Sequence, residues 1–230
     1  DLTKYYKKRL KKYKCQCVYI PNMLDNIPKR LSPLKEERLI SVGRLSKEKG
    51  YIDLLKMMKK LVRKHPTWHL DIIGDGPEKD YLTDYIAENN LQKNVTLHGF
   101  RSKDYIDKML HKSSLFIMTS HTESFGIVLL EAMSHGVPCL AFQSAEGARE
   151  IISSGKNGYI IKNRNKDAMI KKIEDLMKKE EIRKKMGKEA RKTIKQYTKE
   201  QIQEEWYNLL EKKVKRWKET YYLSHQQEDI

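Results

Sequence analysis

Short apolar runs of strand-forming residues recur along the middle of the chain at fairly even intervals. They lie at Leu39–Val42, Trp68–Ile73, Val95–Leu97, Leu115–Met118, Pro138–Phe142 and Tyr159–Ile161. Most segments between them are amphipathic at the helical period, as residues 51–62 show with Ile52, Leu55, Met58 and Val62. Residues 77–89 and 102–111 follow the same period, with Pro77 suited to a first helical turn and Ser102 to an N-cap.

Strands that alternate with helices predict a parallel sheet with crossover helices. We therefore expect an α/β fold, namely a doubly wound, Rossmann-like parallel sheet of about six strands with helices on both faces. The ends of the chain differ from this middle part. Residues 1–37 start with a basic, helix-like segment, continue through a short strand at Val18–Ile20 and end in a proline-containing connector. After Lys162 no strand signal returns, and residues 166–218 predict two or three charged helices.

Charge and cysteine content narrow the function classes. Lys and Arg number 47 against 31 Asp and Glu, so the 230 residues carry a formal net charge of +16. This charge indicates an anionic partner such as a nucleotide, a nucleic acid or an acidic lipid. The spacing of Cys15, Cys17 and Cys139 forms no CxxC pair and favours structural thiols in a reducing cytosol. No stretch has the roughly 20 clean apolar residues of a membrane span, and the opening residues DLTKYYKKRL do not have the pattern expected of a signal peptide.

The segment GRLSKEKG at residues 43–50 follows the first predicted strand. Gly43 permits a tight turn, while Arg44 and Lys49 bring two cations to the carboxyl edge of the sheet, where ligands of open α/β sheets bind. Two cations in this position suit a diphosphate. The alternative is a capped loop with two solvated charges.

The segment ESFGIVLLE at residues 123–131 follows the predicted strand Leu115–Met118. A helix that starts at about residues 125–126 would turn its first backbone N–H groups towards an anion. Glu131 would lie about five residues into this helix, roughly 7–8 Å along its axis, which is about the reach from a phosphate to a ribose. A carboxylate accepts hydrogen bonds from ribose hydroxyls. The alternatives are that Glu131 pairs with a lysine and that Glu123 only complements the helix dipole.

These segments belong to an ordered set of motifs. In chain order they are Gly43-Arg44-Leu45-Ser46-x-x-Lys49-Gly50, Ile73-Gly74-Asp75-Gly76-Pro77, Leu97-His98-Gly99-Phe100 and Glu123-Ser-Phe-Gly-x4-Glu131-Ala-Met-x-x-Gly136-x-Pro138. The set resembles the group 1 retaining glycosyltransferases (family 4) of the GT-B fold. The resemblance extends over residues 15–210, which correspond to the C-terminal, donor-binding domain of that family.

The resemblance implies roles at the matching positions. Arg44 and Lys49 would hold the donor diphosphate and stabilise the leaving group. Glu123 would contact the sugar hydroxyls and orient the anomeric carbon, and Glu131 would clamp the ribose. The implied catalytic residues are Glu123, Arg44 and Lys49, and the implied donor-binding residues are Gly43, Arg44, Lys49, Gly99, Phe100, Glu123, Ser124, Phe125, Gly126, Ile127 and Glu131. A nucleotide sugar, UDP-linked by expectation, would be a substrate, and neither a metal nor a cofactor is implied.

The resemblance also implies a two-domain enzyme. Residues 1–20 would be the end of an N-terminal acceptor-binding domain and the linker, residues 21–197 the donor-binding domain, and residues 198–230 a C-terminal helix and tail. The chain alone would be incomplete and inactive, and the whole enzyme would act in the cytoplasm in surface polysaccharide or glycolipid assembly, such as capsule or lipopolysaccharide. Residues 144–150 replace the Gly-Gly-x-x-Glu run that is frequent in the family, which leaves the choice of donor sugar open.

The basic charge leaves alternatives open. Residues 4–14 interleave lysines with aromatics. One interpretation is that this segment contacts an anionic membrane surface or a lipid-linked acceptor. The other is that it is a solvated face or a packing surface for the missing domain. A nucleic-acid-binding domain is a competing class, favoured by a pI near 9.5. The basic residues are spread along the chain without a nucleic-acid-binding motif, so no nucleic acid partner is expected. A nucleotide-sugar epimerase or a phosphorylase of the same fold is a third interpretation.

Overall fold

A computed structural model describes residues 18–225, so the basic segment 4–14, Cys15, Cys17 and residues 226–230 lie outside the described residues. The described part contains a six-stranded sheet in the order β3-β2-β1-β4-β5-β6, and every neighbouring pair is parallel. The strands are β1 (Arg38–Val42), β2 (His69–Ile73), β3 (Val95–Leu97), β4 (Leu115–Met118), β5 (Cys139–Phe142) and β6 (Gly158–Ile161). This topology confirms the predicted doubly wound α/β fold, and its strand order reverses between β1 and β4.

Eight α-helices occur within residues 18–225. They are α1 (Tyr51–Leu61), α2 (Lys79–Glu88), α3 (Lys103–Lys112), α4 (Ile127–Ser134), α5 (Ala148–Ile151), α6 (Lys166–Lys178), α7 (Glu180–Thr193) and α8 (Lys199–His225). Short 3₁₀ turns lie at Lys47–Lys49, Lys162–Arg164 and Ile194–Tyr197. The three helices after residue 165 match the prediction of two or three charged helices in this region.

Both faces of the sheet are buried, as the continuous apolar runs of the strands require. In β4, Leu115 and Ile117 pack into one apolar cluster with residues of α1, α2 and α6. Phe116 and Met118 point to the other face and pack with residues of α3, α4 and α5. Burial of each such side chain stabilises the fold by about 1.5–3 kcal/mol, so the strand ends that carry the loops are held firmly from both sides.

Besides shifts of one residue at the ends of several other elements, the structure differs from the predicted elements in four places. Residues Val18–Ile20 are not a strand, since they form no ladder with the sheet; nearby Leu24 makes a single bridge to Thr198. The helix after Pro77 starts two residues later, at Lys79, and the helix predicted from residues 125–126 starts at Ile127, because Gly126 adopts a left-handed conformation (φ 86°). The helix α5 was not predicted, because four residues are too few to show a period.

Candidate functional site

The glycines of the first three motifs pack backbone against backbone at the carboxyl edge of the sheet. The N–H of Gly43 donates to the carbonyl of Ile73 (3.0 Å), and the N–H of Gly74 donates to the carbonyl of Gly99 (2.9 Å). A Cβ on Gly74 would lie 1.9 Å from the carbonyl oxygen of Gly43, so no side chain fits there. The motifs after β1, β2 and β3 therefore form one continuous surface.

The loop after β1 is also joined to the loop after β4. The hydroxyl of Thr119 donates to the carbonyl of Lys49 (3.0 Å), and the N–H of His121 donates to the carbonyl of Glu48 (2.7 Å). Gly50 lies at φ +66°, and a Cβ there would lie 2.4 Å from the carbonyl oxygen of Thr119. These contacts bring the two cation- and carboxylate-bearing loops together at the point where the strand order reverses, the ligand-binding position of this fold.

A cavity of about 350 Å³ lies between these two loops. Its lining includes the predicted site residues Gly43, Arg44, Lys49, Glu123, Ser124, Phe125, Gly126 and Ile127. The prediction missed further lining residues, among them Ser41, Tyr51, Thr119, Ser120 and Val128. Ser41, Thr119 and Ser120 could have been found from their place at the ends of β1 and β4, where polar residues interrupt or follow an apolar strand.

The N-terminus of α4 opens into this cavity. Gly126 is its N-cap, and the carbonyl of Gly126 already accepts from the N–H of Leu129 (2.9 Å). The N–H groups of Ile127 and Val128 belong to the first turn and have no acceptor inside the helix. Together with the helix dipole they favour an anion. Because α4 starts at Ile127, the free backbone N–H donors of its first turn are those of Ile127 and Val128. The sequence had indicated the N–H groups of residues 125–127.

The two predicted diphosphate cations differ in their surroundings. Arg44 is exposed and makes no ion pair with any residue between 18 and 225. Lys49 is mostly buried, and its Nζ lies 2.7 Å from Oε2 of Glu123. The side chains of this pair are 26% and 17% exposed. The cation assigned to the diphosphate and the carboxylate assigned to the sugar thus form an ion pair with each other.

The loop at residues 144–150 supports the segment that carries Glu123. The N–H of Gly147 donates to the carbonyl of Glu123 (2.8 Å), and a Cβ on Gly147 would lie 2.3 Å from Cα of Phe125. A carboxyl oxygen of Glu146 lies 3.4 Å from the backbone nitrogen of Glu123. This loop therefore contacts the site through the backbone of Gly147 and the carboxylate of Glu146, although it lacks the Gly-Gly-x-x-Glu run.

A second cavity of about 390 Å³ adjoins the first and shares Val42, Gly43 and Arg44 with it. Phe100 lies at this cavity with 82% of its surface exposed, and Arg101 and Asp75 are nearby in its lining. Gly99 is not part of the lining; its φ of 69° and its carbonyl bond to Gly74 set the course of the loop.

Glu131 lines neither of these two cavities. Its carboxylate lies on α4, 3.8 Å from Nζ of Lys103 on α3, and its side chain is 19% exposed. Burial raises the pKa of Glu131, Lys103 opposes this rise, and Asp107 adds to it. The alternative interpretation, in which Glu131 pairs with a lysine, thus has a specific candidate in Lys103. Lys103 is the first residue of α3 and follows the loop at residues 99–102.

Arg164 supports the backbone of two residues that line the cavity, Thr119 and Ser120, and was not found from the sequence. Its guanidinium donates to the carbonyls of Thr119 (3.0 Å) and Ser120 (2.9 Å) and pairs with Asp53 (2.7 Å). Its only sequence signal is the preceding Asn163, a residue that tolerates the left-handed conformation found there (φ 53°). The brace fixes the backbone just before the loop of Glu123.

Between residues 18 and 225, no three or more His, Cys, Asp and Glu side chains cluster as metal ligands would. In the same part of the chain, no helix combines the length and the apolar character that crossing a membrane requires.

The fold and the cavity at its switch point define a doubly wound, Rossmann-like α/β domain with a site suited to an anionic ligand. The chain belongs to the family described as "Glycosyl transferases group 1", which matches residues 23–193. This match confirms the resemblance seen in the sequence motifs.

Two curated relatives illustrate the membership. An uncharacterized glycosyltransferase of Haemophilus influenzae is 31% identical over 191 residues, which are 83% of this chain and 53% of the relative. A poly(glycerol-phosphate) alpha-glucosyltransferase of Bacillus subtilis is 32% identical over 174 residues, which are 76% of this chain and 26% of the relative. The chain thus spans about half, or less, of the length of these relatives.

Solved structures show the same fold. A mutant of TarM from Staphylococcus aureus, crystallised with Fondaparinux, alpha-GlcNAc-glycerol and UDP, superposes with a TM-score of 0.79 at 28% identity. The superposition covers 90% of this chain and 42% of that chain. A GtfA/B complex superposes with a TM-score of 0.80 at 26% identity, over 91% of this chain and 44% of that chain.

Proposed function

We propose that this chain is the donor-binding domain of a retaining glycosyltransferase. The observation that carries the proposal is the cavity at the switch point, which brings Arg44, Lys49, Glu123 and the N-terminus of α4 together. Its size and its mixture of cations, helix N–H groups and one carboxylate suit a diphosphate that is linked to a sugar. Family membership supports the same function.

In this proposal the diphosphate lies between Arg44, Lys49 and the first turn of α4. Negative charge develops on the diphosphate oxygen as its bond to the sugar breaks and the bond to the acceptor oxygen forms. Two cations and the free N–H groups of the helix stabilise this charge, and their positions are fixed before the reaction. No metal is needed to balance the leaving group, so chelation by EDTA should leave donor binding unchanged.

Glu123 accepts hydrogen bonds from the sugar hydroxyls and so orients the anomeric carbon, since it lies in the same cavity as the cations. The nucleoside extends towards the second cavity, beside Gly99 and Phe100. Glu131 lines neither cavity, so in this proposal it accepts from the ribose hydroxyls only after its weak contact with Lys103 rearranges. The backbone N–H groups of the segment Ser124–Ile127 complete the donor contacts.

We further propose that the donor is a UDP-linked hexose or N-acetylhexosamine and that the acceptor is a hydroxyl of a surface polysaccharide or glycolipid. Support comes from the UDP in the TarM complex and from the name of the Bacillus subtilis relative, a glucosyltransferase that acts on a glycerol-phosphate polymer. The acceptor would be bound by a second domain, because the relatives are about twice as long or longer. The enzyme would act in the cytoplasm, with an anionic membrane or a lipid-linked acceptor as a partner.

Calorimetric titration of the chain with UDP, GDP and ADP tests this assignment. We expect binding of UDP, and weaker binding in Arg44→Ala and Glu131→Ala. Arg63→Ala is the matched control for lost positive charge, because Arg63 is exposed in the turn that follows α1. Unchanged UDP affinity in both Arg44→Ala and Glu131→Ala would refute the site assignment. The chain alone should transfer no sugar to an acceptor.

A labelled oligonucleotide, titrated in parallel, separates this proposal from a nucleic-acid-binding function. The excess of positive charge will give some weak, salt-sensitive association at low ionic strength. Tight oligonucleotide binding without any binding of a nucleoside diphosphate would refute the glycosyltransferase proposal for this chain.

A further inference from the structure

A buried carboxylate lies in the strand next to β1. Asp71, in the middle of β2, is 1% exposed. Its Oδ2 accepts from Nη1 of Arg38 (2.6 Å), and its Oδ1 lies 2.8 Å from Nε2 of His98. Nε2 of His69 approaches the same oxygen only to 3.8 Å. A buried charge is costly unless it is paired, so Asp71 holds Arg38 and His98 in fixed positions.

The tautomer of His98 follows from this contact. A carboxylate only accepts hydrogen bonds, so Nε2 of His98 carries the proton. With the proton on Nε2, Nδ1 is free to accept, and the hydroxyl of Tyr105, 3.0 Å away, is placed to donate to it. The two rings also pack with a centroid distance of 5.7 Å. Asp71, His98 and Tyr105 thus form one directed chain of hydrogen bonds.

This chain of hydrogen bonds connects the residues on either side of the loop at residues 99–102. His98 immediately precedes the loop, and Tyr105 lies in the first turn of α3, which follows it. The guanidinium of Arg101 packs over the ring of Tyr105 at 5.2 Å. Lys103, in the same turn of α3, is the residue that reaches Glu131. The position of Tyr105 therefore affects the Phe100 side of the second cavity and the environment of Glu131 together.

We propose that Asp71, His98 and Tyr105 are positioning residues for the nucleoside half of the donor site. The inference rests on the proposed function, because the loop matters only if a nucleoside binds beside it. Charged groups contribute less to stability than well-packed apolar side chains of similar volume, so stability alone gives little reason for this network. Its directional bonds hold the loop in one conformation before the ligand arrives, which lowers the entropy lost on binding.

Tyr105→Phe tests the proposal with the loss of one hydroxyl group. Its matched control is Tyr81→Phe, because Tyr81 is 52% exposed on α2. The dissociation constants for UDP, GDP, ADP and inorganic pyrophosphate are measured calorimetrically for wild type and both variants. We expect Tyr105→Phe to weaken the preferred nucleoside diphosphate by roughly two- to tenfold, the range for one hydrogen bond. Pyrophosphate, which has no nucleoside, should bind as to wild type.

A second variant separates positioning from general stability. His98→Gln keeps a donor for Asp71, but its acceptor is the amide oxygen, which is bonded one carbon further along the side chain than Nδ1 and so does not occupy the position that Tyr105 contacts. We expect it to weaken nucleoside diphosphate binding as Tyr105→Phe does, and the double variant to be no weaker than either single one, because both break the same bond. Thermal melts recorded alongside show that each variant is folded.

The outcomes are distinguishable. Equal weakening of pyrophosphate and nucleoside diphosphate, or no weakening of either, would overturn the positioning role while leaving the donor site intact. Additive losses in the double variant would show that the two residues act independently and would also overturn it. Wild type that binds pyrophosphate but no nucleoside diphosphate would overturn the proposed function itself, and this inference with it.

Discussion

The ion pair between Lys49 and Glu123 predicts that removing an assigned donor contact strengthens the binding of a nucleotide. A diphosphate that binds to the ammonium group of Lys49 must compete with the carboxylate 2.7 Å away. Removal of that carboxylate by Glu123→Gln should therefore strengthen the binding of free UDP, although Glu123 is itself an assigned donor contact. For a UDP-sugar, the lost contact to the sugar hydroxyls opposes this gain.

The exposure of the pair sets the magnitude. Fully exposed pairs contribute about 0.2–1 kcal/mol, and breaking a fully buried pair costs about 3–5 kcal/mol. With side chains 26% and 17% exposed, the Lys49–Glu123 pair lies between these cases, and we take the upper end of the range for exposed pairs as a conservative magnitude. About 1 kcal/mol corresponds to about a fivefold change in Kd. We expect UDP to bind about fivefold more tightly to Glu123→Gln, and its affinity relative to UDP-glucose or UDP-N-acetylglucosamine to rise.

Calorimetry at fixed ionic strength measures both ligand types in each variant. Glu88→Gln, at the exposed end of α2, controls for the change in net charge. A double-mutant cycle with Lys49→Met shows whether the gain acts through Lys49. If Glu123→Gln strengthens UDP equally in the Lys49→Met background, the carboxylate repels the diphosphate directly and the competition argument is refuted. Weaker UDP binding to Glu123→Gln would refute it as well.

Two further predictions concern stability. Gly50→Ala should lower the free energy of unfolding in urea by more than Gly155→Ala, because both positions have positive φ but only a Cβ at Gly50 meets another atom within 4 Å, the carbonyl oxygen of Thr119. The left-handed conformation alone costs about 1–2 kcal/mol. Glu131→Gln should raise the free energy of unfolding at pH 7, because burial raises the pKa of Glu131 and its charged form destabilises the folded state. This gain should disappear below about pH 4.5, the ordinary pKa of the group, where Glu131 is protonated in both states.

The controls for these predictions are internal to the chain. Equal destabilisation by Gly50→Ala and Gly155→Ala would contradict the close contact between the β1 and β4 loops. A gain from Glu131→Gln that does not change with pH would contradict the assignment to burial of the charge. Glu88→Gln should show no such gain at any pH, since Glu88 is exposed.

Most of the fold could be predicted from local pattern. The strands Val95–Leu97 and Leu115–Met118 have the predicted bounds, because a strand buried on both faces appears in the sequence as a continuous apolar run. The segment Val18–Ile20 has strand-forming residues too, yet it pairs with no strand between residues 18 and 225, and local preference does not supply a hydrogen-bonding partner. Helix starts shifted by one or two residues, as at Lys79 and Ile127, where the conformation of a preceding residue decides the boundary.

The sequence also located the parts of the candidate site, since each follows a predicted strand. It could not show that Lys49 pairs with Glu123, residues that are 74 positions apart. Arg164 was missed for the same reason, as its contacts with Thr119 and Ser120 join distant segments.

The sequence by itself determined the class of fold, the family and the loops that hold the candidate ligand groups, because periodicity and glycine motifs are properties of neighbouring residues. The tertiary structure decided which of these groups meet: it paired Lys49 with Glu123, gave Glu131 a contact with Lys103 outside the main cavity, and connected Asp71 to Tyr105 through His98. Such contacts depend on sheet order and helix packing, which bring together side chains that no local pattern relates.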